Sequence, residues 1–184
     1  MNKKVTPILS TAVIMASALS LCACSTSTKT TTSTTLSPSA MASHGYSKAL
    51  LDVNNVQVVR IGQTVQVIIP SDLVFHTSSA NLQANSKTVL HNIANLIKGY
   101  KTNRIKVAAY SDSTVGNGIA QDRAGIALTE AQAQAVSSYL WSQGIDTRYI
   151  YSEGYGSADP VASNNTPKGQ YQNRRVVISF KFED

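Results

Sequence analysis

Residues 85–109, NSKTVLHNIANLIKGYKTNRIKVAA, change their hydrophobic period once along the stretch. The first part has the spacing of one helical face, with apolar side chains at Val89, Leu90, Ile93, Leu96, Ile97 and Tyr100. Asn85 and Ser86 are typical of a helix start, and Gly99 stands near the end. The last part alternates as a strand does, at Ile105, Val107 and Ala109. The stretch therefore predicts a helix followed by a strand.

The residues before this stretch predict a β-hairpin. Apolar residues alternate on both sides of a Gly62-Gln63-Thr64 turn, at Val56, Val58, Val65, Val67 and Ile69. Pro70 is expected to close the second strand, because proline has no N–H to donate to a sheet.

The residues after it add a second helix and two more strands. A polar stretch from Ser111 to about Ile126 is expected to be a loop, and a helix is predicted from Thr129 to Gly144. A short strand over 149–153 follows, and the last strand alternates at Val176, Ile178, Phe180 and Phe182. The order ββ-αβ-αβ-β predicts an α+β fold, a mixed β-sheet with two main helices packed on one face.

Composition excludes several classes of function. The chain has 184 residues, a length that suits one ordinary domain with tails or two very small domains. Hydrophobic residues make up 42% of the chain, which is enough to form a core. The formal net charge of +6 is spread along the chain, without the basic clusters and interleaved aromatics typical of a nucleic-acid binder. Both cysteines, Cys22 and Cys24, lie near the amino terminus. Disulfides, cysteine metal sites and thiol catalysis are therefore excluded for the domain.

The amino terminus resembles a bacterial lipoprotein signal. Lys3 and Lys4 precede an apolar run over 5–21 that is short for a membrane span, and the run ends in Leu21-Cys22-Ala23-Cys24. This lipobox-like sequence implies a signal peptide over 1–23 and a thioether diacylglycerol on Cys24. Acylation of the new amino terminus is expected with it, which predicts palmitate incorporation. Ordinary secretory cleavage nearby, with Cys24 unmodified, is the alternative.

A tether is expected to follow the lipidated cysteine. Residues 24–45 are rich in Ser and Thr and cannot bury enough apolar surface to order on their own, so the folded domain is predicted over 46–184. Ser25 resembles the residue found after the cysteine in lipoproteins sent to the outer membrane. The predicted location is therefore the outer membrane, lipid-anchored, with the domain in the periplasm.

The domain resembles the OmpA C-terminal-like family of peptidoglycan-associated proteins over about residues 47–184. The motifs that carry the resemblance, in order, are Leu73-Val74-Phe75, Ala109-Tyr110-Ser111-Asp112, Leu128-Thr129, Gly154-Tyr155-Gly156 and Asn173-Arg174-Arg175-Val176. Members of this family, including Pal-type lipoproteins, bind peptidoglycan through its diaminopimelate. With the lipobox and the tether, the chain is also similar to small OmpA-like lipoproteins of the Dot/Icm type IVB secretion core complex.

The resemblance implies a pocket for diaminopimelate, whose ammonium and carboxylate need a carboxylate partner beside a guanidinium. It implies that Asp112, after Ser111, supplies the carboxylate, although a loop-capping aspartate is the structural alternative. Gln132 stands where the family has its arginine. Thr129-Glu130-Ala131-Gln132 also has the pattern of a helix capping box, which would give Gln132 a purely structural role.

Other residues bear on the same pocket. Arg123 could replace the missing cation, although an exposed loop arginine is the simpler interpretation. His76 follows Phe75 where family members often have aspartate, and Ser78 comes next in the candidate site. Because loss of one partner of a desolvated charge pair typically costs about 2–5 kcal/mol of binding, the sequence predicts a degraded pocket and weak or absent peptidoglycan binding.

Two functions from different classes follow from these expectations. In the first, the chain is a structural subunit of an envelope-spanning type IVB secretion complex, and its domain docks onto other subunits. In the second, it is a Pal-like anchor that links the outer membrane to peptidoglycan. His44, His76 and His91 are isolated in sequence and predict no metal or catalytic site. No enzyme activity is expected, and no cofactor beyond the covalent lipid.

Overall fold

A computed structural model describes residues 55–113 and 119–183, and the side chains of 119–121 are outside that description. The predicted signal peptide, Cys24, the tether and the first residues of the predicted domain lie outside the described residues. None of the helices in the described part combines the length and hydropathy that crossing a bilayer requires.

The described chain contains five strands and four α-helices. The strands are β1 (Gln57–Ile61), β2 (Thr64–Pro70), β3 (Thr102–Tyr110), β4 (Ile150–Gly154) and β5 (Arg175–Phe182). The helices are α1 (Ser71–Val74), α2 (Ser86–Lys98), α3 (Ile119–Ser142) and α4 (Pro167–Asn173), and a 3-10 turn covers Thr147–Tyr149.

The strands form one mixed sheet in the order β1-β2-β5-β3-β4. Only β3 and β4 pair in parallel within this sheet, and the other neighbours are antiparallel. Pro70 pairs with Arg175 and Tyr110 also pairs with Arg175, so β2 and β3 end where β5 begins. This shared edge of the sheet brings three distant segments of the chain together.

The core lies between one face of the sheet and the helices α2 and α3. Alternate residues of the three central strands are buried there, among them Val67, Ile69, Val107, Ile178 and Phe180. Helix α2 contributes six buried apolar side chains: Val89, Leu90, Ile93, Ala94, Leu96 and Ile97. Helix α3 contributes Ala133, Val136 and Leu140. The predicted mixed sheet with two main helices on one face is confirmed.

Helix α3 corrects the prediction that a loop extends to about Ile126 and that the helix begins at Thr129. The helix already covers Ile119–Ser142, so Thr129 lies in its interior. The Thr129 hydroxyl donates 2.9 Å to the Gly125 carbonyl and accepts 2.9 Å from the Gly156 N–H. A threonine that forms hydrogen bonds inside a helix and to a neighbouring segment looks the same in the sequence as a threonine that caps a helix. This explains why the helix start was misplaced.

Helix α3 crosses strand β4 at very close range. A Cβ at Gly154 would lie 2.2 Å from the backbone nitrogen of Glu130, so only glycine fits the crossing.

The sequence does not predict the two short helices, α1 and α4. Their four and seven residues are too few to show a helical spacing of apolar side chains.

Candidate functional site

A pocket of about 320 Å³ opens at the shared edge of the sheet. Helix α1 follows β2 there, the residues after β3 form the floor, and α3 closes one side. The lining side chains are Ser71, Asp72, Phe75, His76, Thr77, Ser78, Tyr110, Ser111, Asp112, Leu128, Gln132 and Arg174. Five of the six non-lipid site candidates from the sequence line this one pocket: Asp112, Gln132, Ser111, His76 and Ser78.

Arg174 supplies the cation of the pocket. Its Nε and Nη2 donate to the two carboxylate oxygens of Asp72, at 3.1 and 2.7 Å, as a bidentate fork. Its Nη1 donates to Asp112 Oδ2 at 2.5 Å. The guanidinium therefore joins two carboxylates that lie 102 and 62 residues away from it in the sequence.

These contacts fix the electrostatics of the pocket floor. Asp112 is only 1% exposed, whereas the Arg174 side chain is 32% exposed at the pocket surface. The hydrogen bonds to Asp72, and then those to Asp112, raise the pKa of Arg174 above its ordinary value, although burial opposes them. The ion pairs use three of the five N–H groups of a guanidinium, and the described residues supply no acceptor for the other two.

Two hydroxyl groups in the pocket have no hydrogen-bond partner among the described residues. Ser71 is 5% exposed and Ser111 is 8% exposed, and the Oγ of each is buried without a partner. Buried polar atoms are hydrogen-bonded in the great majority of cases, and exceptions call for an explanation. Both serines line the same cavity, so a polar ligand would give their hydroxyls partners.

The loop after Phe75 forms the rim that carries His76 and Ser78. A bridge between Phe75 and Leu82 closes the loop, and the Gln83 side chain donates to the Phe75 carbonyl. Ser78 has a φ of +52°, in the left-handed region that non-glycine residues seldom occupy. His76 and Ser78 are exposed at this rim.

Gln132 lies inside the pocket wall and not at a helix start. Its Nε2 donates 2.9 Å to the Ser79 carbonyl, which ties helix α3 to the rim loop. The capping-box interpretation of Gln132 is wrong, because α3 begins at Ile119 and Thr129 is not an N-cap. The side chain is 6% exposed and presents an uncharged amide to the cavity.

Arg123 is the candidate that the structure does not bring to the pocket. It is exposed on the first half of α3 and is not among the lining residues. The simpler interpretation of Arg123 as an exposed residue agrees with this position, although the residue lies on a helix and not in a loop.

Tyr110 connects the pocket to a stack of charged and aromatic side chains. The Arg175 guanidinium lies 3.9 Å from the centre of the Tyr110 ring, and the Tyr155 ring stacks on the Tyr110 ring with a centroid distance of 5.0 Å. Lys106 lies over Tyr155 and pairs with Glu153 at 2.6 Å. Burial raises the pKa of Tyr110, so its hydroxyl stays protonated at neutral pH.

Sequence reasoning missed Arg174 and Asp72 as site residues. Arg174 belongs to the Asn173-Arg174-Arg175 motif, and the adjacent pair of arginines is the signal that the sequence offers. Asp72 follows the strand-ending Pro70 by two residues, where a charge at the end of a buried strand marks the sheet edge. Neither signal shows which carboxylate the arginine binds.

The arrangement suits a ligand that carries an amine. Counting histidine as neutral, Asp72, Asp112 and Arg174 give the pocket a net charge of −1 at pH 7. An ammonium can donate three hydrogen bonds, to carboxylate and hydroxyl oxygens. Among the described residues no group of three His, Cys, Asp or Glu side chains could hold a metal ion.

Comparisons with known proteins agree with this architecture. The profile of the OmpA family matches residues 74–174. The probable lipoprotein YiaD of Escherichia coli is 36% identical over 125 residues, 68% of this chain and 55% of YiaD. The peptidoglycan-binding protein ArfA of Mycobacterium tuberculosis is 31% identical over 114 residues, 62% of this chain and 33% of ArfA. The chain thus spans about a third to about half of these curated relatives.

Similarity to solved structures extends to the sequence as well as the fold. The cell wall anchor of the T6SS from Pseudomonas aeruginosa superimposes with a TM-score of 0.67 at 26% identity, covering 76% of this chain and 96% of that one. The names of these proteins describe a lipoprotein, a peptidoglycan-binding protein and an anchor, and none of the three describes an enzyme.

Proposed function

Because this chain belongs to the OmpA family, we propose that it is an envelope anchor whose domain binds the peptide stems of peptidoglycan. The pocket around Asp112 would hold a stem side chain that ends in an ammonium group, as diaminopimelate does. A lipid on Cys24 would hold the other end of the chain in the outer membrane. The domain would then link that membrane to the cell wall from the periplasm.

The observation that carries the proposal is the buried carboxylate of Asp112 in a pocket that already holds its own cation. Arg174 pairs with Asp112 at 2.5 Å in a nearly solvent-free position. The buried hydroxyls of Ser71 and Ser111 add acceptors for the N–H groups of a ligand. Arg174 also supplies a guanidinium in the pocket, although the position of the family arginine is still held by Gln132.

Co-sedimentation with purified sacculi tests the proposal on the full-length chain in detergent. We expect the wild type to sediment and Asp112→Asn to lose most of its binding, because a neutral amide attracts an ammonium far less than a carboxylate does. Asp122→Asn is the matched control, since Asp122 is an exposed carboxylate on α3 outside the pocket. Equal sedimentation of both variants would overturn the proposal.

A second variant guards against loss of folding in Asp112→Asn. Ser111→Ala removes a hydroxyl that has no partner among the described residues, so it should fold as the wild type does. We expect it to weaken sedimentation with sacculi, while its thermal unfolding stays unchanged. If Ser111→Ala and Asp112→Asn both sediment with sacculi as the wild type does, this pocket is not the site that binds the wall.

A structural subunit of a type IVB, Dot/Icm-like secretion complex is the second candidate. The observation that favours it is Gln132, whose amide binds the Ser79 carbonyl where the family resemblance puts a ligand-binding arginine. In that case the domain would dock onto other subunits of the complex. Wild type that fails to sediment with sacculi, and a secretion machine that fails to assemble without this chain, would favour this function over the first.

A further inference from the structure

We propose that the pocket prefers an amine ligand without a free carboxylate beside the amine, such as a lysine residue or a diaminopimelate residue whose carboxyl group is amidated. This inference rests on the proposed peptidoglycan-stem function and specifies the charge class of the residue that the pocket accepts. It is argued from the charges and hydrogen bonds of the lining residues.

The first step is the charge balance of the pocket. Asp72 and Asp112 contribute two negative charges and Arg174 one positive charge, which leaves −1. A zwitterionic ligand keeps the complex at −1, whereas a ligand with a single positive charge makes it neutral. Asp112 is 1% exposed, so water screens its charge poorly and the neutral complex is favoured.

The second step is the state of the Arg174 guanidinium. Its bidentate fork, the geometry that best receives a carboxylate, is already occupied by Asp72. A ligand carboxylate would have to use the remaining N–H groups while it lay close to both Asp72 and Asp112. An amide or a methylene group in the same place avoids this repulsion between like charges.

The third step concerns Gln132. Its Nε2 donates one of its two N–H groups to the Ser79 carbonyl, which leaves the second N–H and the Oε1 acceptor for a ligand, and neither carries a charge. The Oε1 acceptor suits an ammonium or a carboxamide N–H, whereas the remaining neutral N–H offers a carboxylate a hydrogen bond without the charge of a guanidinium. The neutral side chain at this position thus selects against the charge that an arginine would attract.

Two further titratable groups line the pocket, His76 and Tyr110. Burial holds the pKa of Tyr110 above its ordinary value, so its hydroxyl is neutral near pH 7.

Calorimetric titration of the full-length chain in detergent tests the inference with three tripeptides that differ only in the third residue. That residue is diaminopimelate, its amide or lysine. We expect the amide and lysine peptides to bind about tenfold more tightly than the diaminopimelate peptide, which equals about 1.4 kcal/mol. Tighter binding of the free diaminopimelate peptide to the wild type would overturn the inference and leave the proposed function standing.

A charge variant provides the internal control. Gln132→Arg should reverse the order of the three peptides, because it adds a cation beside the ligand carboxylate. Gln134→Arg adds the same charge to an exposed position of the same helix outside the pocket and should leave the order unchanged. If Gln132→Arg leaves the order of the three peptide affinities unchanged, the inference is also overturned. No binding of any peptide to any variant would overturn the proposed function and the inference together.

Discussion

At the scale of single residues, Arg174 holds together a site whose parts come from the whole length of the domain. Its side chain joins Asp72 on α1 to Asp112 after β3, and its backbone carbonyl accepts 3.0 Å from the Ser71 N–H. The same guanidinium neutralises a carboxylate that is almost fully buried. Arg174 is thus part of the stability of the domain as well as part of the pocket.

Replacing Arg174 with glutamine should destabilise the domain. Asp112 would lose the ionic partner at 2.5 Å while it stays buried, and a charged group deprived of a partner in such a position typically costs about 2 kcal/mol. Urea unfolding monitored by circular dichroism measures the change. Arg148→Gln is the control, because Arg148 forms an exposed pair with Asp146 two residues away, and it should unfold with the wild type. Equal effects of both variants would contradict this account.

The sequence identifies one side of this site much better than the other. Asp112 and Ser111 follow a strand with clear alternation, so their place at a sheet edge follows from the pattern, and the family resemblance adds His76 and Ser78. Arg174 and Asp72 are visible as charged residues, but their pairing spans 102 residues and depends on the order of strands in the sheet. Local periodicity carries no information about contacts over that distance.

At the scale of secondary structure, helix α3 shows why the sequence can predict a helix correctly and still misplace its first residue. The pattern of Val136, Tyr139 and Leu140 indicates the helix correctly. The Thr129-x-x-Gln132 pattern then suggests a start that is ten residues too late. Both polar residues have tertiary partners instead, Gly156 for Thr129 and Ser79 for Gln132. Local capping chemistry and tertiary hydrogen bonding use the same side chains, so the sequence cannot separate them.

Thr129→Val should therefore weaken the contact between α3 and Gly156, and it should not affect the capping of the helix. The substitution keeps the shape of the side chain but leaves the buried N–H of Gly156 without its acceptor, at a cost of about 1–2 kcal/mol. Thermal unfolding should show a lower midpoint for Thr129→Val than for Thr129→Ser, which keeps the hydroxyl. A serine variant as unstable as the valine variant would mean that the methyl group matters more than the hydrogen bond.

The pairing of β3 with β4 adds a pH-dependent contribution. The hydrogen bonds from Lys106 and then Tyr155 lower the pKa of Glu153 below its ordinary value. A carboxylate with a lowered pKa in the folded state stabilises the fold above its unfolded pKa, near 4.3, and this stabilisation is lost as the pH falls through the folded value.

Glu153→Gln should accordingly unfold at a lower temperature than the wild type at pH 7. The two proteins should converge as the pH falls below about 4, because the wild-type carboxyl group then becomes protonated and neutral like the amide. Melting temperatures measured from pH 7 down to pH 3 test the prediction. A difference that stays constant over the whole range would show that the ion pair with Lys106 does not stabilise the folded state.

At the scale of the whole molecule, the proposed anchor needs two attachments, which are the pocket for the wall and a lipid on Cys24 for the membrane. Cys24→Ala removes the predicted acceptor of the lipid, so metabolic labelling with palmitate should disappear in that variant and the chain should leave the membrane fraction. Labelling of Cys24→Ala at the wild-type level would refute the lipidation of this cysteine. Unlabelled wild type would favour ordinary secretory cleavage.

The two attachments also predict how their losses combine. A link between outer membrane and cell wall is broken when either end is released, so Cys24→Ala and Asp112→Asn should each abolish the tethering of outer membrane to sacculi. The double variant should then be no worse than either single variant, because the second loss removes nothing that still functions. The measurement is the fraction of outer membrane retained on sacculi after gentle lysis. If the two losses add, each end has a separate function, as expected of a chain that docks onto a secretion complex as well as onto the wall.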